Sequence, residues 1–175
     1  MDLNGRTYHW TARDKWLYGL SLAPFLVMFI GALLLLGTYS IWLSAALLGS
    51  YLLINLFQAG CCVGCPYRGR YCPALCGIYL GNLFSGWLYP KREFNQAFFD
   101  RNAAGGEIMV LVTMLFPVYW LARTAWWLVP VYFLLLAAHL VTFMPTQCEK
   151  CSYHDTCPGG IAWRACAVWL EEELG

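Results

Sequence analysis

Charge is what this chain has least of. Lys, Arg, Asp and Glu make up 12% of its 175 residues, about half of the roughly 25% usual in a soluble domain. A chain so poor in charge and 60% hydrophobic is excluded from the disordered, self-repelling class. Its net charge of +1 provides no basic face for a phosphate backbone, so nucleic acid is not expected as a partner. Also missing are any Asn-x-Ser/Thr acceptor, internal repeat or low-complexity linker, which leaves one membrane domain spanning residues 1–175 as the simplest organisation. No nucleophile–base arrangement, phosphate loop or dinucleotide fingerprint is visible, so any catalysis is expected to belong to cofactors and partners. What the chain does have is nine Cys, nine Trp and an aromatic fraction of 17%.

The charges are absent in blocks. From Trp16 to Tyr67 there is none in 52 residues, enough for two crossings at roughly 20 residues each. The Gly37-Thr38-Tyr39-Ser40 cluster divides them, which places spans at about 17–37 and 40–60. Further on, Ile108–Ala122 and Thr124–Cys148 give 15 and 25 uncharged residues. These predict spans at about 105–123 and 124–145, the shorter one completed by Gly105, Gly106 and a snorkelling Arg123. Pro117 and Pro130 are expected to kink them. The apolar stretch after the N-terminal arm is too long for a signal-peptide core and is expected to stay as the first helix.

The expected fold is therefore all-α, an integral membrane protein with four transmembrane helices, a cysteine-rich loop and a C-terminal tail. Four crossings place Arg6, Arg13, Lys15, Arg68, Arg70, Lys91, Arg92, Arg101, Lys150 and Arg164 on one side and only Arg123 on the other. The positive-inside bias then assigns both termini and the 61–104 segment to the cytoplasmic side of the inner membrane. All nine cysteines fall on that side, where thiols stay reduced and metal or redox chemistry is favoured over disulfides.

The cysteines form two groups, in segments 61–76 and 148–166. Cys62, Cys65, Cys72 and Cys76 are spaced x2, x6 and x3, with Cys61 as a spare; Cys148, Cys151, Cys157 and Cys166 are spaced x2, x5 and x8. Four plus four is the arithmetic of two tetrathiolate sites, and two 4Fe-4S clusters or two structural zinc ions would satisfy it. Pro after Cys65, Cys72 and Cys157 and the neighbouring glycines favour iron–sulfur. Arg68, Arg70, Lys150 and Arg164 lie between the ligands and would stabilise an anionic centre. His154 is an alternative ligand. His139, the one histidine within a span, is a candidate for contact with a quinone or a cluster, with an interhelical hydrogen bond as the plainer role.

The nine Trp fall near span ends, as interfacial belts do. Gly77–Tyr89 is apolar but short, as expected of an interfacial or re-entrant helix. Pro90–Asn102 looks like its water-facing continuation, with Phe94, Phe98 and Phe99 toward membrane or partner. A C-terminal helix is expected to start near Ile161 and end at Glu171-Glu172-Glu173.

Cys61-x3-Cys65-Pro66 at the cytoplasmic end of a span resembles the Cys-x3-Cys-Pro element of the NapH and NosR membrane ferredoxin families. That resemblance covers this element alone, and it implies quinol-linked electron transfer at the cytoplasmic face. The leading expectation is thus a non-catalytic membrane subunit of a redox complex, in contact with lipid, with further subunits and with a quinone. Its competitors are a zinc-binding membrane scaffold and a thiol oxidoreductase using Cys62/Cys65 or Cys148/Cys151.

Overall fold

The computed structural model describes residues 11–69, 80–147, 151, 153, 155 and 157–174. Those residues are helical, with no strand among them. The helices are α1 (Ala12–Tyr39), α2 (Ile41–Cys61), α3 (Gly81–Leu88), α4 (Gln96–Leu115), α5 (Val118–Thr124), α6 (Leu128–Gln147) and α7 (Pro158–Leu174). The all-helical fold expected from the sequence is what forms.

Three helical stretches are long and apolar enough to cross a bilayer: Trp16–Tyr39, Ile41–Cys61 and Gln96–Thr124. The apolar part of α6, Leu128–Met144, is shorter. Only 28%, 17% and 22% of the three long apolar windows is buried within the protein, so most of their Leu and Val side chains point outward. Each would cost about 1.5–3 kcal/mol if left in water, a penalty that lipid removes. Among the side chains most open to the surroundings are Trp16 (80%), Trp42 (79%), Trp126 (78%) and Trp87 (77%). All four lie at or near helix ends, as belt residues should.

A single residue, Ser40, links α1 to α2; its hydroxyl accepts from the Trp42 N–H and caps the second helix. The first helix therefore runs on to Tyr39 rather than stopping at 37. Ser44 crosses back to donate to the Leu33 carbonyl at 2.7 Å. The α4 helix begins at Gln96 rather than at 105, because Asn95 adopts an extended backbone and accepts from the Phe98 N–H at 3.0 Å. Residues 96–102, expected to belong to a water-facing continuation of the interfacial helix, are instead the first turns of the third long helix. Pro117 ends α4, since it offers no N–H to the Thr113 carbonyl, and α5 resumes one residue later. Pro130 does not kink its helix: it is the third residue of α6, inside the first turn where no donor is needed.

The helices run between two ends. At one, the Tyr39 and Thr124 hydroxyls hydrogen-bond at 2.9 Å; the other gathers the C-terminal end of α2 and the N-terminal end of α4. Packing pairs α1 with α6 and α2 with α4, and seats α3 on α2. Phe25, Met28, Leu121, Tyr132, Leu136 and Phe143 form the main buried cluster. Where α1, α2, α4 and α6 meet, a cavity of about 30 Å³ lies beside Tyr51, Thr113 and Tyr132, room for about one water.

Candidate metal centre

The last turn of α2 delivers the first cysteines. Cys61 ends the helix and Cys62 caps it, its N–H donating to the Gln58 carbonyl at 2.9 Å. Two tight turns follow, with Cys65 N–H on the Cys62 carbonyl at 3.2 Å and Arg68 N–H on the Cys65 carbonyl at 3.0 Å. Gly64, inside the first of them, has φ of +86°, a left-handed conformation that glycine adopts without strain. A Cβ there would also lie 2.7 Å from the Phe94 Cβ. Both requirements exclude other residues at this position.

Over this turn sits the second cysteine segment. The Tyr153 hydroxyl donates to the Val63 carbonyl at 2.8 Å, midway between Cys62 and Cys65. Its ring packs on Phe94, nearly parallel at 5.9 Å, and on Phe99 at 5.1 Å. Val63, Phe99 and Tyr153 are buried. Phe94 and Phe99, expected to face membrane or partner, instead form the inner wall of this junction. Phe98 is half-buried under the Arg92 guanidinium, 3.6 Å from its ring centre.

Burial pushes the Tyr153 hydroxyl above the usual phenol range, and the thiols of Cys65, Cys62, Cys151 and Cys61 add to the shift. It therefore stays protonated and keeps donating. Cys157 lies within electrostatic reach of Cys61, whose own Sγ sits 3.9 Å from the Phe99 carbonyl. Of the expected ligands, Cys61, Cys62, Cys65 and Cys151 thus lie within electrostatic reach of Tyr153, and Cys157 within reach of Cys61, near the end of α2. Cys166 is exposed on α7, about 13 Å along the chain axis from Cys157 at 1.5 Å per residue.

Cys72, Cys76, Cys148 and His154 lie outside the described residues. Among the described residues no disulfide forms, and no three His, Cys, Asp or Glu side chains converge on a point that could hold a metal ion. The donor set, soft thiols gathered on a glycine turn, suits iron–sulfur or zinc in type. Arg68 donates to the Arg92 carbonyl at 2.7 Å. Arg164 pairs with Asp155 at 2.7 Å.

His139 is 2% exposed, and its Nδ1–H donates to the Ser21 carbonyl of α1 at 2.8 Å. Phe25 and Phe143 flank the ring, each at 5.2 Å. Pro24 leaves the Leu20 carbonyl without its helical donor, and the histidine donates to the next carbonyl along, from the neighbouring helix. The geometry is that of an interhelical tie.

Two features escaped the sequence. Asn95 was a readable N-cap signal ahead of α4, but the apolar count placed the span later. Tyr153 carried no signal, since nothing in a sequence marks which tyrosine will reach a carbonyl 90 residues away. No family model, curated protein or solved structure matches the chain.

Proposed function

We propose that this chain is a membrane subunit of a redox complex, with iron–sulfur chemistry held by its cysteine segments at the cytoplasmic face. It would pass electrons between a soluble partner and a membrane quinone. The observation that supports this reading is the Tyr153–Val63 hydrogen bond, which holds a residue of the second cysteine segment against the first at the end of a long apolar helix. Four crossings fit it, with α6 as the fourth: a residue shortly after α6 bonds to one shortly after α2. Ten of eleven basic residues then share the cysteines' side, which the positive-inside bias makes cytoplasmic.

Bound iron–sulfur clusters would supply one-electron chemistry. The chain's own part is to position and to exclude water. Gly64 shapes the turn that presents Cys62 and Cys65; Phe94, Phe99 and Tyr153 dry one side of it; Cys151 and Cys157 arrive through the Tyr153 anchor. His139 acts in this reading by fixing α6 to α1. An exchange dithiol at Cys62/Cys65 is a poorer fit, because Cys62 caps the C-terminal end of a helix. Activated thiols sit at helix N-termini, where the dipole favours the thiolate.

Protein purified without oxygen is expected to contain iron and acid-labile sulfide in equal amounts and to give a reduced-state EPR signal. Stoichiometric zinc without iron would replace this function with a zinc-bearing scaffold.

A further inference from the structure

The short helix α3 is built inside out. Its buried positions are polar or small, with Asn82 at 1% and Ser85 at 0% exposure, while Leu83, Trp87 and Leu88 point outward at 41%, 77% and 38%. In water this arrangement would be inverted, since an amphipathic helix turns its apolar side to the protein. The polar side is firmly seated. The Asn55 side-chain carbonyl of α2 accepts the Leu80 N–H at the start of α3, and the Asn82 carbonyl accepts the Gly69 N–H at 2.9 Å. Gly86 lies so close to the Gly69 backbone that a Cβ on it would come within 2.6 Å of the Gly69 Cα.

We propose that α3 lies within the lipid leaflet, with Leu83, Trp87 and Leu88 against phospholipid acyl chains. Three observations select lipid over a protein partner. The helix is seated on α2, which itself exposes Leu52, Leu53 and Leu56 at 45%, 45% and 42%. Trp87 is as open as Trp16, Trp42 and Trp126 at the other helix ends. The exposed Lys91 and Arg92 follow at once, where the chain would rise into anionic headgroups. Because α3 holds Gly69, the leaflet then sets the depth of the cysteine turn that ends there.

This inference rests on the membrane reading of α2 and not on the redox proposal. The test incorporates photo-reactive benzoylphenylalanine singly at Leu83, Trp87, Leu53 and Glu93 in full-length protein, reconstituted in vesicles of phosphatidylethanolamine and phosphatidylglycerol. All four side chains are exposed, so the substitutions leave packing intact. Lipid adducts at positions 83 and 87 should match those at 53 and exceed those at 93 several-fold. Adducts at 53 without adducts at 83 and 87, or equal adducts at 87 and 93, would overturn the placement of α3. No lipid adduct at 53 would overturn the membrane reading together with it.

Discussion

Two seams hold this bundle together, and they are made of different materials. Between α1 and α6 the contact is aromatic and aliphatic, with Phe25, Leu136, Phe143 and the rest of the main cluster, and one polar tie from His139 to Ser21. Between α2 and its neighbours α3 and α4 the contact is made by glycines and buried amides: Phe57 against Gly105 and Gly106, Gly60 against Asn102, and Asn55 and Asn82 gripping the ends of loops. Packing of the first kind is adaptable, because side chains can shift within an apolar neighbourhood. The second kind fixes backbones against each other and tolerates little. It is also the seam that ends in the cysteine turn. A membrane helix gains no hydrophobic energy from leaving lipid, so close backbone approach and interhelical hydrogen bonds must do the positioning.

The sharpest way to break the contrast is Gly86→Ala. The added Cβ would meet Gly69 backbone atoms at 2.6 and 3.1 Å, and no rotamer relieves a clash with backbone. A loss of about 3 kcal/mol, at the upper end of overpacking costs, is expected. Thermal unfolding in detergent should show a large drop in midpoint, and an unchanged midpoint would mean that α3 is not seated as described.

The matching change in the other seam is His139→Leu. It removes the donor to Ser21 and keeps an apolar side chain between Phe25 and Phe143. Hydrogen bonds between membrane helices average about 0.6 kcal/mol and reach about 1.7, and the buried Ser21 carbonyl places this loss toward the top of that range. Denaturant unfolding should report it. Labelling of the cysteine turn by maleimide should not change, because α1 and α6 do not shape that turn; faster labelling would show that the two seams are one cooperative unit.

Tyr153→Phe is expected to do the reverse. The ring and its stacking on Phe94 and Phe99 remain, and only the hydroxyl donor to Val63 is lost, at a cost of about 1 kcal/mol. Global unfolding should barely move, while Cys62, buried at 8% exposure, should label several-fold faster as the second cysteine segment lifts off. Peptide mass spectrometry resolves this site by site.

These contrasts also show what the sequence could and could not convey. The apolar seam was legible, because runs without charge mark helices and His139, alone in such a run, invites an interhelical bond. The glycine and amide seam was not. Gly60, Gly86 and Gly105 act through close approach to residues far along the chain, and period and composition carry no such pairing. The cysteine groups were visible as groups, but the contact between their segments is made by Tyr153. Pro130 misled for a local reason: a proline reads as a kink until the helix start is known.

The smallest effect belongs to the outermost contact of the second cysteine segment. Arg164 of α7 pairs with Asp155 at 2.7 Å, with both side chains about half exposed. Solvent screens such a pair, and exposed ion pairs contribute about 0–1 kcal/mol. Arg164→Gln should therefore leave unfolding within error at moderate salt and lower it slightly at low salt, where the Debye length is longer. A salt-independent loss above about 1 kcal/mol would mean that the guanidinium serves more than Asp155. Because the pair joins the residues around Tyr153 to α7, that outcome would tie the start of the C-terminal helix to the fold around Tyr153.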